Sequence, residues 1–292
     1  MKNKLFYLIY ITLFISASSL AQQDPHFSLY RYNMSIINPA YAGTNGTFDV
    51  LMGVRSQWSG VEGGPETQAF NLNTPLGNNV GAGISIVNDK VFVLRETHLY
   101  ADFSYKLRLS ETLNLFAGLK AGGTFLNVNL SETGIMNDPL FVGDVSRFNP
   151  NIGLGFYLKA EKYYITLSAP GVLSNDRYEK DGANPVAASD DLVVFTGGGY
   201  NFELSNRVQL RPSVLSRFVS GVPLSIDLTG SLIYDDKFEL GANYRIDESV
   251  AIFTSIGLLD NAINFGYAYE FNTTTIGSYN KGTHELILKF GL

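Results

Sequence analysis

Hydrophobic and polar residues alternate along most of this chain with a period of two. In the clearest run, over residues 98–109, Leu99 and Phe103 fall on one face, while Asp102 and Lys106 fall on the other. Alternation over ten or more residues is typical of a β-strand whose two faces meet different surroundings. Because similar runs recur as far as the C-terminus, the pattern predicts an all-β protein.

The pattern predicts about fourteen antiparallel strands. Two architectures produce such alternation: a soluble β-sandwich, and a transmembrane barrel with lipid outside and a lumen inside. Soluble strands usually run ~5–6 residues and membrane-spanning strands ~9–11, and most runs here are of the longer kind. We therefore predict an outer-membrane β-barrel, with the sandwich as the alternative. The strands are expected near residues 47–58, 66–75, 79–88, 96–109, 112–130, 150–160, 162–168, 191–203, 206–218, 223–234, 237–246, 249–258, 262–271 and 283–292.

The connections between these strands alternate in length. Every second one is a tight turn, such as Gly77-Asn78 or Asp235-Asp236, whereas the intervening ones are mostly longer, as at 131–149, 169–190 and 272–282. Bacterial outer-membrane barrels have short periplasmic turns and longer outer loops. The sequence therefore places the tight turns in the periplasm.

The N-terminus has the features of a secretory signal peptide. Lys2 and Lys4 precede an apolar run over 5–15, and small residues follow as far as Ala21. A membrane anchor is the alternative, but the run is well short of the ~20 residues that a spanning helix needs. We therefore predict a signal peptide at 1–21, an N-terminal periplasmic or plug segment at 22–46, and a β-barrel at 47–292.

Composition agrees with two kinds of strand face. Of 292 residues, 45% are hydrophobic, 13% aromatic and only 16% charged. The mean hydropathy of +0.05 is then an average over a lipid-facing and a lumen-facing population. The chain has no cysteine, which excludes disulfides and zinc–thiolate sites. Its net charge of −6 argues against a nucleic-acid partner.

Residues that could carry catalysis are sparse. The sequence has three histidines, without metal-ligand spacing such as H-E-x-x-H, and it shows no nucleophile–base arrangement. We therefore expect no enzyme activity, no cofactor and no metal. The charges predicted to face the lumen are of mixed sign, which favours a paired network that fills the lumen over a selective ion path. They are Asp102, Lys106, Arg108, Arg211, Arg217, Asp227, Glu239 and Arg245.

The segment at 22–46 is rich in aromatic and branched apolar residues and contains a turn at Asn38-Pro39. A segment of this kind is expected to bury itself. One interpretation is a plug inside the periplasmic mouth of its own barrel. The other is a docking surface for a periplasmic partner.

Two short motifs occur in the first quarter of the chain. The partner-binding or plug motif comprises Asp24, Pro25, Phe27, Asn38, Pro39, Ala40, Tyr41 and Gly43. The motif of the first strand and its loop comprises Arg55, Gln57, Trp58, Gly64 and Pro65. With these motifs and the stretches 85–89, 137–139 and 149–153, the chain resembles the PorP/SprF outer-membrane proteins of the type IX secretion system of Bacteroidota.

The resemblance implies a non-enzymatic outer-membrane barrel attached to a secretion and gliding machine. Its implied partners are periplasmic ring proteins, PorK and PorN or their gliding counterparts. The SprF-like members are associated with the secretion and surface attachment of large adhesins that carry type B C-terminal signals. The alternative function is a passive outer-membrane channel for small or hydrophobic solutes.

Overall fold

The computed structural model of the protein describes residues 26–133, 144–173, 176–178, 188–189 and 191–291. The predicted signal peptide and the motif residues Asp24 and Pro25 lie outside these ranges, as does the stretch at 137–139.

Seventeen strands make up most of the described chain. β8 and β9 form a small separate sheet, and the others belong to one large sheet. The bounds are β1 Asp49–Ser56, β2 Glu66–Pro75, β3 Val80–Val91, β4 Leu94–Arg108, β5 Leu113–Val128, β6 Val145–Ala160, β7 Tyr163–Ala169, β8 Asp176–Tyr178, β9 Ala188–Ser189, β10 Val193–Tyr200, β11 Phe202–Ser205, β12 Val208–Val219, β13 Ser225–Tyr234, β14 Phe238–Arg245, β15 Ser249–Leu258, β16 Ile263–Asn272 and β17 Thr283–Gly291.

The large sheet closes on itself. β1 pairs antiparallel with β17, from Asp49 opposite Gly291 to Ser56 opposite His284. β10 completes the ring because it pairs with β7 on one side and with β12 on the other. The ring therefore has fourteen antiparallel strands, and β11 is an extra short strand that pairs with β12. The predicted barrel and its strand number are confirmed.

The two faces of the wall differ as the alternation predicts. In β4, Leu99 and Phe103 point outward and are 44% and 47% exposed, whereas Asp102 and Ser104 point inward and are 4% and 1% exposed. In water such an outer surface would expose a large apolar patch, but in a bilayer lipid covers it. Exposed apolar side chains recur around the whole ring.

Several strand bounds differ from the sequence prediction. β6 begins at Val145 rather than near residue 150, because the strand stays paired with β5 as far as Val128. Asn149 and Pro150 interrupt the apolar alternation there, which hid this part of the strand. The predicted strand at 191–203 is divided at Asn201 into β10 and β11.

The connections define two ends of the barrel. We call the end with the tight turns the turn end, and β1 begins and β17 ends there. The opposite, loop end also contains two short connections, at 92–93 and 246–248. The turn-end connections are 76–79, 109–112, 161–162, 206–207, 235–237 and 259–262.

Helical structure is brief. The helix α1, Met34–Ile37, and a 3-10 turn, Pro39–Tyr41, precede β1. Further 3-10 turns, Leu130–Thr133 and Thr275–Tyr279, lie at the loop end. Within the described ranges, none of these helices has the length and apolar character needed to carry the chain across a membrane.

Candidate functional site

The chain before β1 packs against the inward-facing side chains of the barrel. We call its described part, residues 26–46, the N-terminal segment. Each apolar cluster inside the barrel includes members of it, so the apolar core is built around this segment. The clusters are Phe27 with Ala69 and Val87; Leu29 with Phe253, Ala268 and Ile287; and Tyr30, Met34 and Ala40 with Phe116, Tyr157, Phe195 and Leu215.

The N-terminal segment runs along the lumen from the loop end to the turn end. Near the loop end, Nε2 of His26 lies 2.8 Å from Oδ2 of Asp227, the third residue of β13. Near the turn end, Nζ of Lys159 donates a hydrogen bond of 2.8 Å to the carbonyl oxygen of Thr44. The contacts thus extend over most of the height of the barrel and are not confined to its turn-end mouth.

Asn38 fastens the middle of this segment to the wall. Its Nδ2 donates to the carbonyl oxygen of Phe156 at 2.9 Å and to Oγ1 of Thr166 at 2.8 Å. Its Oδ1 accepts from the N–H of Ala40 at 2.9 Å and so caps the 3-10 turn that begins at Pro39. Asn38, Pro39 and Ala40 are fully buried, and every polar atom of the amide is used.

Two glycines in the wall let the segment approach this closely. A Cβ at Gly155 would lie 2.0 Å from Oδ1 of Asn38, and a Cβ at Gly118 would lie 2.1 Å from the backbone N of Ala40. Any side chain at either position would overlap with the segment. The barrel is therefore shaped to receive the Asn-Pro-Ala stretch.

The next motif residues lie nearer the turn end. The ring of Tyr41 packs edge-on against Tyr157, with centroids 5.4 Å apart, and its hydroxyl donates to Oδ1 of Asn45 at 3.4 Å. The carbonyl of Gly43 accepts from the N–H of Gly46 at 3.2 Å. Tyr41 is half-buried, in contrast to Asn38.

The first-strand motif organises the β1–β2 loop at the loop end. Nη1 of Arg55 donates to Oε1 of Gln57 at 2.6 Å, and the N–H of Gln57 donates to the carbonyl of Pro65 at 2.8 Å. Trp58 starts the turn with a φ of 55°, and Gly64 ends it just before Pro65. Arg55 itself points inward and is buried.

Charges near the loop end form a connected network. Arg245 contacts Asp227 through Nε and Glu270 through Nη1, each at 3.1 Å. Arg55 lies 3.4 Å from the other oxygen of Glu270. The imidazole of His26, in the N-terminal segment, lies beside Asp227 of this network. Buried charges of opposite sign compensate each other here, since leaving one unpaired in a poorly solvated lumen is costly.

A second buried pair lies on the opposite wall. Nζ of Lys120 is 2.8 Å from Oδ1 of Asp102 and donates to the carbonyl of Ser35 at 3.2 Å and to Oγ of Ser85 at 3.1 Å. The pair therefore also holds the N-terminal segment. Arg217 is buried on the inward face of β12.

The other predicted lumen charges lie at the turn end. Arg211 and Glu239 line a cavity of about 350 Å³, and Lys106 and Arg108 line a second cavity of about 990 Å³. Within the described ranges, no carboxylate lies within 4.0 Å of the cationic groups of Lys106, Arg108 or Arg211. The lumen charges thus divide into a paired group and a cavity-lining group.

Glu285 holds the N-terminal segment to the wall, a role that the sequence did not predict. The carboxylate of Glu285 accepts from the N–H groups of Ser28 and Leu29, at 2.8 and 3.2 Å. Oγ of Ser28 donates to Glu270 at 2.9 Å. In the sequence, only the position of Glu285 on the polar face of the last strand indicated that its side chain points into the lumen.

The remaining histidines make ordinary hydrogen bonds. Nδ1 of His98 is 2.8 Å from Oγ1 of Thr124, and Nδ1 of His284 is 2.8 Å from the hydroxyl of Tyr267. The described residues contain no group of three or more His, Cys, Asp or Glu side chains that could hold a metal ion.

A closed antiparallel barrel with an apolar outer surface and a polar inner one defines an integral outer-membrane protein. The family described as "Type IX secretion system membrane protein PorP/SprF" matches residues 19–290, nearly the whole chain. The chain therefore belongs to the PorP/SprF family, and the resemblance seen in its motifs is confirmed. The family is named for a secretion-system membrane protein and not for an enzyme.

Solved structures share the fold at low identity. A FadL homologue from Pseudomonas aeruginosa is 12% identical, with 94% of this chain and 95% of that chain covered and a TM-score of 0.50. Omp33 from Acinetobacter baumannii is 10% identical, with 84% and 99% covered and a TM-score of 0.49. No curated protein matches the chain. The likeness to the FadL homologue supports the barrel fold and, at this identity, nothing about ligands.

Proposed function

We propose that this protein is a non-enzymatic anchor that couples the periplasmic part of the type IX export and gliding machinery to the outer membrane. The observation that carries the proposal is the N-terminal segment, which occupies the lumen from the loop end to the turn end. A barrel filled by its own chain is suited to holding other proteins rather than to passing solutes.

The contacts between the N-terminal segment and the inside of the wall indicate that the segment stays bound in the lumen. Three apolar clusters, the Asn38 amide and the contact of His26 with Asp227 all bind it to the wall. Removing the segment would expose apolar side chains and leave Glu285 and Glu270 without their Ser28 contacts. The segment is then part of the folded barrel, and partners are expected at the ends.

The orientation follows from the two ends. Short turns, the start of β1 and the end of β17 share one end, which in bacterial barrels faces the periplasm. The proposed partners, PorK- and PorN-like ring proteins, would bind at this end. A large adhesin with a type B C-terminal signal would instead meet the loop end.

Affinity purification from outer membranes, followed by mass spectrometry, tests the proposal. Recovery of ring proteins would support coupling at the turn end. Recovery of a giant adhesin without ring proteins would replace coupling by adhesin attachment. Recovery of neither, from membranes in which the barrel is folded, would count against both roles.

Conductance distinguishes the anchor from a channel for small or hydrophobic solutes. The purified protein in planar bilayers is expected to show no steady conductance, because the segment fills the lumen. Steady, large conductance would favour the channel. Uptake of a hydrophobic solute lost on deletion of the gene would favour it as well.

The division of the chain also belongs to this proposal. We propose that the signal peptide is removed after Ala21, that residues 22–46 are the N-terminal periplasmic or plug segment, and that the barrel begins near residue 47. N-terminal sequencing of protein from outer membranes is expected to begin at Gln22. A sequence beginning at Met1 would contradict the cleavage.

A further inference from the structure

A water-accessible cavity of about 350 Å³ lies at the turn end, beside the N-terminal segment. We call it the turn-end cavity. Arg31, Tyr32 and Tyr41 of the segment form one side, and residues of β6, β7, β12, β14 and β17 form the others. Its volume is within the ~300–1,000 Å³ typical of ligand pockets and exceeds what a small inorganic anion needs.

The lining of the turn-end cavity has more cations than carboxylates. Four cationic and two acidic side chains line it, although the protein as a whole carries a net charge of −6. One of the cations, Lys289, is itself paired with Asp49, with Nζ 3.8 Å from Oδ2. Glu239 is moreover engaged, since Tyr32 and Ser231 donate hydrogen bonds to it, each at 2.5 Å. The cations are Arg31, Lys159, Arg211 and Lys289, and the carboxylates are Glu161 and Glu239.

Two of the guanidinium groups have buried donors without an acceptor. Within the described residues, Nη1 of Arg31 and Nε of Arg211 are buried and make no hydrogen bond. A buried charged donor left unsatisfied destabilises the folded protein, because it loses its hydrogen bond to water without gaining another. Arginine also presents its donors in a planar fork that matches a carboxylate. A carboxylate in the cavity would supply an acceptor to guanidinium groups whose hydrogen bonds the protein leaves incomplete.

Tyrosine rings form the remaining wall. Tyr157 stacks on Tyr164 with centroids 5.5 Å apart, and Tyr41 packs edge-on against Tyr157. Tyr32 and Tyr163 also line the cavity. Tyrosine and arginine together are typical of surfaces that bind peptides, because the ring supplies amphipathic contact area and loses little conformational entropy.

We propose that the turn-end cavity binds an acidic peptide segment of a partner protein. Its carboxylates would pair with Arg31 and Arg211, and an adjacent aromatic side chain would lie against the tyrosines. Lining residues such as Tyr157 and Arg211 lie on the inward face of their strands, which favours a protruding peptide over a lipid headgroup. The inference rests on the proposed function in taking the partner to be periplasmic.

The test uses the full-length mature protein in detergent micelles and two fluorescein-labelled peptides. One has the sequence Glu-Glu-Phe-Glu-Glu, and the other replaces each Glu by Gln. The acidic peptide is expected to bind saturably, with at least tenfold higher affinity than the neutral one, and more weakly as salt is raised. Equal binding of the two peptides, or no binding, would overturn the proposal.

Variants locate the binding. Arg31→Gln and Arg211→Gln are expected to weaken binding of the acidic peptide about tenfold each, since each removes a charge-assisted hydrogen bond. Arg207→Gln is the matched control, because Arg207 is also at the turn end but pairs with Asp235 and does not line the cavity. Wild-type affinity in both cavity variants, or an equal loss in the control, would contradict the site.

Inorganic phosphate is the competitor that separates peptide recognition from simple anion binding. At matched ionic strength it is expected to displace the peptide no better than chloride does. If phosphate at the same concentration as the peptide displaced it, the cavity would bind small anions, and the peptide proposal would be overturned. Ring proteins recovered with a barrel that binds no acidic peptide would leave the proposed function in place and reject this inference alone.

Discussion

The backbone N–H of Ser28 donates a hydrogen bond of 2.8 Å to Oε2 of Glu285, which joins residues 257 positions apart in the chain. The second oxygen of Glu285 accepts from the N–H of Leu29 at 3.2 Å. One carboxylate on the last strand therefore satisfies two backbone donors of the N-terminal segment. Buried N–H groups without regular secondary structure need such partners.

Replacing Glu285 is expected to loosen the N-terminal segment. Glu285→Ala leaves two buried N–H groups unpaired, and we expect a loss of about 1–3 kcal/mol in the free energy of unfolding. Urea unfolding in detergent, followed by heat-modifiable migration, measures this loss. Glu111→Ala, at an exposed turn residue, is the matched control and should behave as wild type. Equal stability of the two variants would contradict the role of Glu285.

Asn38 is expected to be structural, whereas Tyr41 is exposed enough to serve a partner. Asn38→Ala removes the cap and both bonds from Nδ2, so we expect a loss of about 1–3 kcal/mol of stability. Heat-modifiable migration reports this loss. A stable, wild-type-like Asn38→Ala would be the contrary result.

Tyr41→Ala should keep the barrel folded and reduce binding of the acidic peptide. Fluorescence anisotropy of the labelled peptide measures this binding.

The close approach of Asn38 to the wall gives a steric prediction. Gly155→Ala places a methyl group against Oδ1 of Asn38, and the overlap should cost about 1–3 kcal/mol of stability. It should also make the N-terminal segment more accessible to added protease. Gly230→Ala is the matched control, since a Cβ at this strand position meets nothing within 4 Å. Similar protease patterns in both variants would show that the segment does not depend on this contact.

His26 gives a pH prediction. Burial, together with the nearby charges of Arg245 and Arg217, lowers the pKa of His26 below its ordinary value of 6.5, although Asp227 acts in the opposite sense. Below that pH the unfolded chain takes up a proton that the folded protein resists. Stability should therefore fall as the pH drops below 6.5 and towards the lowered pKa.

His26→Gln removes this titration and serves as the comparison. We expect the free energy of unfolding of the variant to depend less steeply on pH than that of wild type between pH 7 and 5. Unfolding by urea at each pH measures both slopes. Parallel slopes would mean that His26 does not contribute.

The wall of the barrel could be predicted because its signal is local. Leu99 and Asp102 reveal opposite faces of one strand without knowledge of any neighbour, since lipid and lumen impose different side chains at alternate positions. Where the local signal is interrupted, as at Asn149 and Pro150, the strand bound was predicted wrongly. Pairing with β5 extends the strand there.

The candidate site was predictable only in part. The sequence singled out Asn38 and the lumen charges, but it did not pair them with partners. Thr166, Gly155 and Glu285 lie far along the chain from the segment that they contact. Nor did alternation separate Arg245, which is buried in an ion network, from Arg211, which lines an open cavity.

The sequence by itself determined the strand period, the all-β class and the inward direction of the charged side chains, because each depends on neighbours within one strand. Only the tertiary structure decided the path of the N-terminal segment, the division of the charges between two ends and the existence of the turn-end cavity. These depend on ring closure, which brings β1 beside β17 and encloses a chain whose buried polar groups must find partners in distant strands.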